Sequence, residues 1–408
     1  MCIIEREAVK HDRNGMSSHS SNCIPDVQHP DILPVRMCRT TITSIATQFP
    51  IFLTKFGKDI VKLFPEGTDV FIHGKVKNIL FDGLPLICDK DKYPEIGLMC
   101  TYLKMKKPPI IRSTDNEKLY LYSFFDKVNG SDQGSFSINR GSQNYSLLGN
   151  IVASKGNKYN KIWNTEECNR VWGCDAITCA PLEARVPHIQ TYAKEYCRIL
   201  QIDYSKDTRF FGTTTYRYEM MGNTWTHNAS VCFCPKNLKK EIQCPPMGIL
   251  DVSACQEIPI YASEPHFLHG DPKLLEYAIG LRPNELLHHT YLDIEPISGI
   301  PFSGFKKCQL NMHLAPQPVQ GLHNVSEGYF PLVWIEEGAN ITIEQALTVV
   351  NVHRLMRFLN VLSWTPLLLG IFFILANLWL RDPVNSGLIE RSSVSSQDPL
   401  FSRSKMIN

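Results

Sequence analysis

The sequence predicts a large, mainly β, antiparallel domain followed by one C-terminal transmembrane helix. Three observations predict it. The first is where the cysteines fall: of Cys 14, all lie at or before Cys308, nine lie between Cys168 and Cys308, and the last hundred residues hold none. Cysteines crowded among turns read as a disulfide framework made in an oxidising compartment. The second is a succession of short apolar, β-favouring runs separated by Gly, Pro and Asn turns, in a chain with Pro 26 and Gly 24. That spacing suits antiparallel sheet. The third is the uncharged stretch FLNVLSWTPLLLGIFFILANLWL, Phe358 to Leu380. As a helix it would reach about 35 Å, enough to cross a bilayer core.

The 408 residues are enough for one large core or two domains. A net charge of +2 offers no general attraction for a polyanion. No basic run or zinc-finger spacing points to nucleic acid. Four segments follow: 1–39, of atypical composition; 40–357, a disulfide-bonded, glycosylated ectodomain; 358–380, the span; and 381–408, a Ser-rich cytoplasmic tail without apolar period.

Met1 to Arg39 is not a signal peptide, because MCIIEREAVKHDRNGMSSHSSN carries charges where an apolar core is needed. The expectation is an upstream signal or first membrane span that this sequence does not contain. Thr40 to Phe64 turns helical in pattern, with Ile45, Phe49, Phe52, Phe56, Ile60 and Phe64 recurring at threes and fours and Pro50 dividing them. Lys55, Lys58 and Lys62 share another face. Two readings stay open here: a solvated lysine face over a core, or a contact for anionic lipid or lipoprotein.

Lys75 to Leu84 reads as a strand or short helix closing on a turn at Asp82 and Gly83, and Cys88 and Cys100 face each other across a charged loop. They either pair or sit as small hydrophobes. Lys104 to Pro109 reads as a basic turn, Leu119 to Phe125 and Ile151 to Ser154 as strands, and Ser135 to Gly149 as loop. A short helical piece is expected around Tyr192 to Leu200. Strands are expected over Phe210 to Tyr218, Thr290 to Ile294, Asn311 to Leu314 and Phe330 to Ile335, and a helical approach to the membrane begins at Glu344.

Arg354 and Arg357 precede the span and Arg381 follows it, so positive charge alone does not orient it. The sequons do. Asn129, Asn144, Asn228, Asn324 and Asn340 all lie on the cysteine side of the span, which places residues before 358 outside or in the lumen. Trp364 and Trp379 sit near the two interfaces, Asn360 and Asn377 near the ends, and Pro366 is tolerable inside a membrane helix.

No nucleophile elbow, phosphate-binding loop or dinucleotide fingerprint occurs, so no catalytic residue and no cofactor is expected. His288, His289, Asp293 and Glu295 come closest to a site. They straddle a turn without a metal-ligand spacing, so the reading is structural and no metal is expected. His266, beside Phe267 and Leu268, reads as a core histidine.

The stretches GILDVSACQEIPIYASEPHFLHGDP and GLRPNELLHHTYLDIEPISGIP resemble the CD36 family of class B scavenger receptors, lysosomal integral membrane protein 2 and sensory neuron membrane proteins. KVKNILFDGL, GSFSINRG, LLGNIV, Trp163 with Cys168, KKCQLN and PLVWIEEG fit the same family, over roughly residues 40–380. The resemblance implies a β-barrel ectodomain with a helical apical bundle, an internal lipid tunnel and two membrane spans, the first of which is missing here together with its neighbouring strands. It implies the disulfides Cys168–Cys232, Cys197–Cys255 and Cys234–Cys244. Cys174 and Cys179 depart from the family's turn, and a local bridge between them is inferred. Cys308 stands where the family is usually apolar, which suggests a buried free thiol, with a bridge to Cys88 or Cys100 as the alternative.

Mapped on that family, Lys55, Lys58 and Lys62 fall in the apical bundle and are read as ligand-facing. The implied partners are membrane lipids, lipoproteins or fatty acids, with a homo-oligomer as a further arrangement. The implied function is a receptor and lipid conduit at the plasma membrane, not an enzyme. The alternatives are a lysosomal carrier of a hydrolase, whose acidic dileucine signal Leu388, Ile389 and Glu390 do not match in order, and a chemosensory or phagocytic recognition receptor.

Overall fold

The computed structural model describes residues 35–38, 59–64 and 71–393, apart from 76, 109, 127–128, 131–133, 176–177, 183, 221, 226–230, 237–240 and 317–323. Lys55, Lys58 and Asn228, and most of the segment read as an apical helix, lie outside the described residues. Of that segment the structure describes a short 3-10 turn, Ile60–Leu63.

Strand β1 (Val35–Cys38) pairs antiparallel with β2 (Phe71–Gly74). A single wide turn of helix, Asn78–Asp82, follows and is stopped by Gly83 at φ 97°. A Cβ at Gly83 would come within 2.7 Å of the Leu121 Cβ, so only glycine fits here. The chain then enters β3 (Leu84–Ile87). With β4 (Ile111–Ser113), β3 flanks β5 (Leu119–Tyr122) in a three-stranded sheet. The loop expected between Cys88 and Cys100 is instead largely helical. Helix α1 (Gly97–Lys106) follows a 3-10 turn at Pro94–Ile96 and ends where Lys107 turns left-handed. The reason is burial: Ile96, Met99, Cys100 and Leu103 pack into the core at spacings of three, one and three. The charges of the preceding loop hid this.

Among the described residues the main sheet has eleven strands. In chain order they are β6 (Phe136–Ile138), β7 (Asn150–Ser154), β8 (Gly173–Cys174), β9 (His188–Ala193), β10 (Arg198–Phe210), β11 (Thr213–Glu219), β12 (Leu250–Asp251), β13 (Tyr261–Ser263), β14 (Tyr291–Ile294), β15 (Pro301–Leu314) and β16 (Gly328–Asn340). Among the described residues, two single-turn α-helices interrupt them, α2 (Ser253–Gln256) and α3 (Glu285–His288), along with several 3-10 turns. The helical piece expected over Tyr192 to Leu200 is two strands and a turn. Cys197 adopts φ 50°, so the chain reverses, and Ala193 pairs with Arg198 across β9 and β10.

Among the described residues the sheet does not close into a barrel. Its end strands, β12 and β6, each pair with one neighbour. The path forks at β15. That strand takes β16 along one edge, while β13 and β14 share the other. With neighbours on both edges, β15 runs buried from Lys307 to Met312 without alternation. Its polar side chains are satisfied internally: Gln309 Nε2 donates to Asn311 Oδ1 at 2.8 Å, and Asn311 Nδ2 donates to Ser263 Oγ at 2.9 Å. The core joins both sheets, with Leu86, Tyr122, Tyr218, Ile294 and Met312 all nearly sealed from solvent.

The C-terminal unit is the helix α4 (Ile343–Ser393). It begins with a reciprocal cap. Gln345 N donates to Thr342 Oγ1 at 3.3 Å, and Thr342 N donates to Gln345 Oε1 at 3.1 Å. Its stretch Ile343–Leu380 is long and apolar enough to cross a membrane, and most of its apolar side chains are exposed.

Candidate functional site

Lys62 is already paired. Its Nζ donates to Asp59 Oδ1 at 2.7 Å and also to Glu95 Oε1. The hydrogen bond to Asp59, then that to Glu95, raises the ammonium above its ordinary value. An anionic ligand at this position has to compete with two carboxylates of the chain itself.

Asn129, Asn144, Asn324 and Asn340 are exposed. Asn144 uses Oδ1 to accept from Ser146 N at 3.0 Å, and Asn340 uses Oδ1 to accept from Ser303 Oγ at 2.7 Å. Neither bond occupies the side-chain amide nitrogen, the atom that N-glycosylation modifies.

Disulfides join Cys88 to Cys100, Cys168 to Cys232, Cys174 to Cys179, Cys197 to Cys255, and Cys234 to Cys244. Two of them frame a buried arginine. The Arg198 guanidinium lies 4.6 Å from the Trp163 ring centre and 4.3 Å from that of Phe233, and its Nη2 donates to Asp251 O at 2.7 Å. Burial pushes its pKa down to about 10, which leaves it charged at neutral pH. Trp163 Nε1 donates in turn to Cys197 O at 2.7 Å.

Cys308 is a buried free thiol. Burial pushes its pKa up to about 11. At pH 7.5 in the folded protein, N-ethylmaleimide should modify it about a hundredfold more slowly than an ordinary thiol, for want of thiolate. Mass spectrometry of the Cys308 peptide checks this; equal labelling before and after unfolding would contradict the burial.

The four residues singled out between 288 and 295 separate. Asp293 is sealed in the sheet and accepts from Arg217 Nε at 2.8 Å and Nη2 at 2.6 Å. Glu295 caps a turn, its carboxylate accepting from Ile297 N at 3.1 Å and Ser298 N at 2.8 Å. His288 stacks on His266 with ring centres 4.4 Å apart. Each ring accepts a backbone N–H at Nδ1, His266 from Arg282 and His288 from Asn284, both at 3.0 Å. Burial, then the His266 ring and the Lys307 charge, lowers the His288 pKa to about 4.

His289 turns instead towards residues that the sequence reading passed over. Glu264, His269 and His289 each offer a donor atom, and these atoms lie within 4.8 Å of one another. Glu264 Oε2 meets His269 Nδ1 at 2.7 Å, and Glu285 Oε1 meets His269 Nε2 at 3.0 Å. Glu285 Oε2 lies 3.2 Å from His289 Nδ1, and His289 Nε2 is 2.9 Å from Met220 O. The sheet brings them together. β13 ends at Ser263 and β14 starts at Tyr291, both on the same edge of β15. The chain therefore leaves after one strand and returns at the other in the same place. The sequence carried one signal: Glu285 and His289 are four apart and lie on one side of a helical turn.

A family model described as the CD36 family matches residues 13–381. Sensory neuron membrane protein 2 of Heliothis virescens is 32% identical over 347 residues, 82% of this chain and 66% of that protein. Sensory neuron membrane protein 2 of Manduca sexta is 33% identical over 340 residues, 81% of this chain and 65% of that protein. Sensory neuron membrane protein 1 of Apis mellifera is 29% identical over 344 residues, 84% of this chain and 64% of that protein. The chain thus spans just under two thirds of the length of these relatives. With a family match over most of its length, a β ectodomain and a C-terminal helix fit to span a membrane, the chain belongs to the CD36 family.

Proposed function

We propose that this chain is part of a membrane receptor for lipophilic ligands, working at the surface of a sensory cell and not as an enzyme. The observation that carries the reading is its similarity, over more than 80% of its length, to proteins named for the sensory neuron membrane. Two physical features support it. β16 ends at Asn340 and α4 begins at Ile343, so two residues tether the ectodomain to the apolar helix. A fatty ligand also needs shelter between water and bilayer, since each CH2 left in water costs about 0.8 kcal/mol. The finer reading is an internal route that shelters the acyl chain, entered near Lys55, Lys58 and Lys62, with glycans on the outer face.

The test uses the full chain in cell membranes and a photoreactive, radiolabelled fatty acid. Saturable labelling, reduced severalfold in the Lys55→Glu/Lys58→Glu/Lys62→Glu variant, together with a glycosidase shift, is the expected result. Lys62→Glu alone should do less, because Asp59 and Glu95 already engage that ammonium. Labelling no greater than that of an unrelated membrane protein, with no glycosidase shift, would overturn the reading.

A further inference from the structure

We propose that Glu264, His269 and His289, with Glu285 at the mouth, form a binding site for one divalent transition-metal ion of the zinc class. The four side chains make a ring in which carboxylates and imidazoles alternate: Glu264 to His269 at 2.7 Å, His269 to Glu285 at 3.0 Å, Glu285 to His289 at 3.2 Å, and His289 back to Glu264 at 4.0 Å. Three of the four contacts are 3.2 Å or shorter, and the fourth, at 4.0 Å, is the most open.

The open contact falls on a buried atom. The Glu264 side chain is 0% exposed, and its Oε1 makes no hydrogen bond of good geometry, with the Thr290 backbone N–H approaching the carboxylate. A carboxylate oxygen sealed from water without a well-placed donor is costly, more so when charged. It faces His289 Nε2 across that 4.0 Å gap. A cation there would satisfy Glu264 Oε1 and take the place of the proton that His289 Nε2 shares with Met220 O. Donor atoms within 4.8 Å of one another need to close to about 3.4 Å to share a tetrahedral zinc with bonds near 2.0–2.1 Å, a movement that side-chain rotation can supply.

The donor set selects the ion. Two imidazoles with carboxylates suit Zn2+, Co2+, Ni2+ or Cu2+ and offer too few oxygens for Ca2+. No thiolate is present in the ring to favour Cu(I). Glu285, which is largely exposed, leaves the ring an entry side, whereas Glu264 closes its floor. The ion would clasp the end of β13 to the start of β14 and fix the excursion of chain between them.

The experiment uses the full chain in detergent, stripped with a chelator and titrated with Co2+ alone. The expected result is one equivalent bound with a visible ligand-field spectrum, displaced by Zn2+, and a melting temperature raised by several degrees. His269→Gln should abolish the spectrum. Glu285→Gln, at the exposed mouth, should weaken Co2+ binding about tenfold or more. That second variant keeps the test meaningful if His269→Gln folds poorly. No saturable spectrum in the parent chain, or the same affinity in Glu285→Gln and His269→Gln as in the parent, would overturn the site.

Discussion

Replacing Asp293 with alanine is expected to destabilise the ectodomain by about 3–5 kcal/mol, the usual cost of stranding one half of a buried ion pair. Asp293 lies on β14 directly opposite Arg217 on β11. Both carboxylate oxygens are taken by that guanidinium, and Thr208 Oγ1 donates to Oδ1 at 3.0 Å. Thr208 also meets Thr215 Oγ1 at 2.7 Å, so three strands, β10, β11 and β14, share one polar knot. The Asp293 side chain is 0% exposed and that of Arg217 is 22% exposed. Arg217 is further pinned 4.1 Å above the Tyr291 ring. Without the carboxylate, the guanidinium remains half-sheltered with no counter-charge. The double replacement Asp293→Leu/Arg217→Met should recover most of the loss, because it removes the charge as well as its partner. Denaturant unfolding of the full chain in detergent measures both. A single variant within 1 kcal/mol of the parent would show that the pair carries no stability.

Some of this was legible in the sequence for local reasons. The uniform run of apolar residues in the span, and the β-formers of β11, β14 and β16, declare themselves without reference to anything distant. Tyr192, Tyr196 and Leu200 mislead because a spacing of four looks helical, whereas a tight turn between paired strands sends Tyr196 and Leu200 to the main core and Tyr192 to a smaller cluster with Ile151 and Val171. Deciding between them needs the left-handed backbone at Cys197, which no periodicity reveals. Helix α1 was hidden by the charges of Lys90, Asp91 and Lys92 just before it. The Glu264, His269 and His289 cluster was out of reach for another reason. His289 reads locally as a neighbour of His288 and Asp293. Only the pairing of β13 and β14 with one edge of β15 shows that it meets Glu264 instead.

Replacing both Cys168 and Cys232 with serine is expected to cost about 4 kcal/mol, from the loop entropy that a bridge across 64 residues removes from the unfolded chain. Entropy is one part of the effect. The bridge sets Trp163 and Phe233 edge to face, 5.2 Å apart, in a corner that holds the Arg198 guanidinium against both rings. Asn164 reinforces the arrangement, its Nδ2 donating to Cys232 O at 3.0 Å and Cys234 O at 2.8 Å. A desolvated cation held by two ring faces is worth about 2 kcal/mol or more. When the bridge is absent, Phe233 is free to leave and water can reach the guanidinium. The cost of Arg198→Met should then fall by about 1 kcal/mol relative to its cost in the bridged protein, a coupling that a double-mutant cycle resolves. Strict additivity of the two changes would mean that the bridge acts on the unfolded chain alone and that the rings hold Arg198 without it. A coupling of the expected sign would instead make the disulfide a positioning device, one that keeps a buried charge against two aromatic rings beside the start of β10.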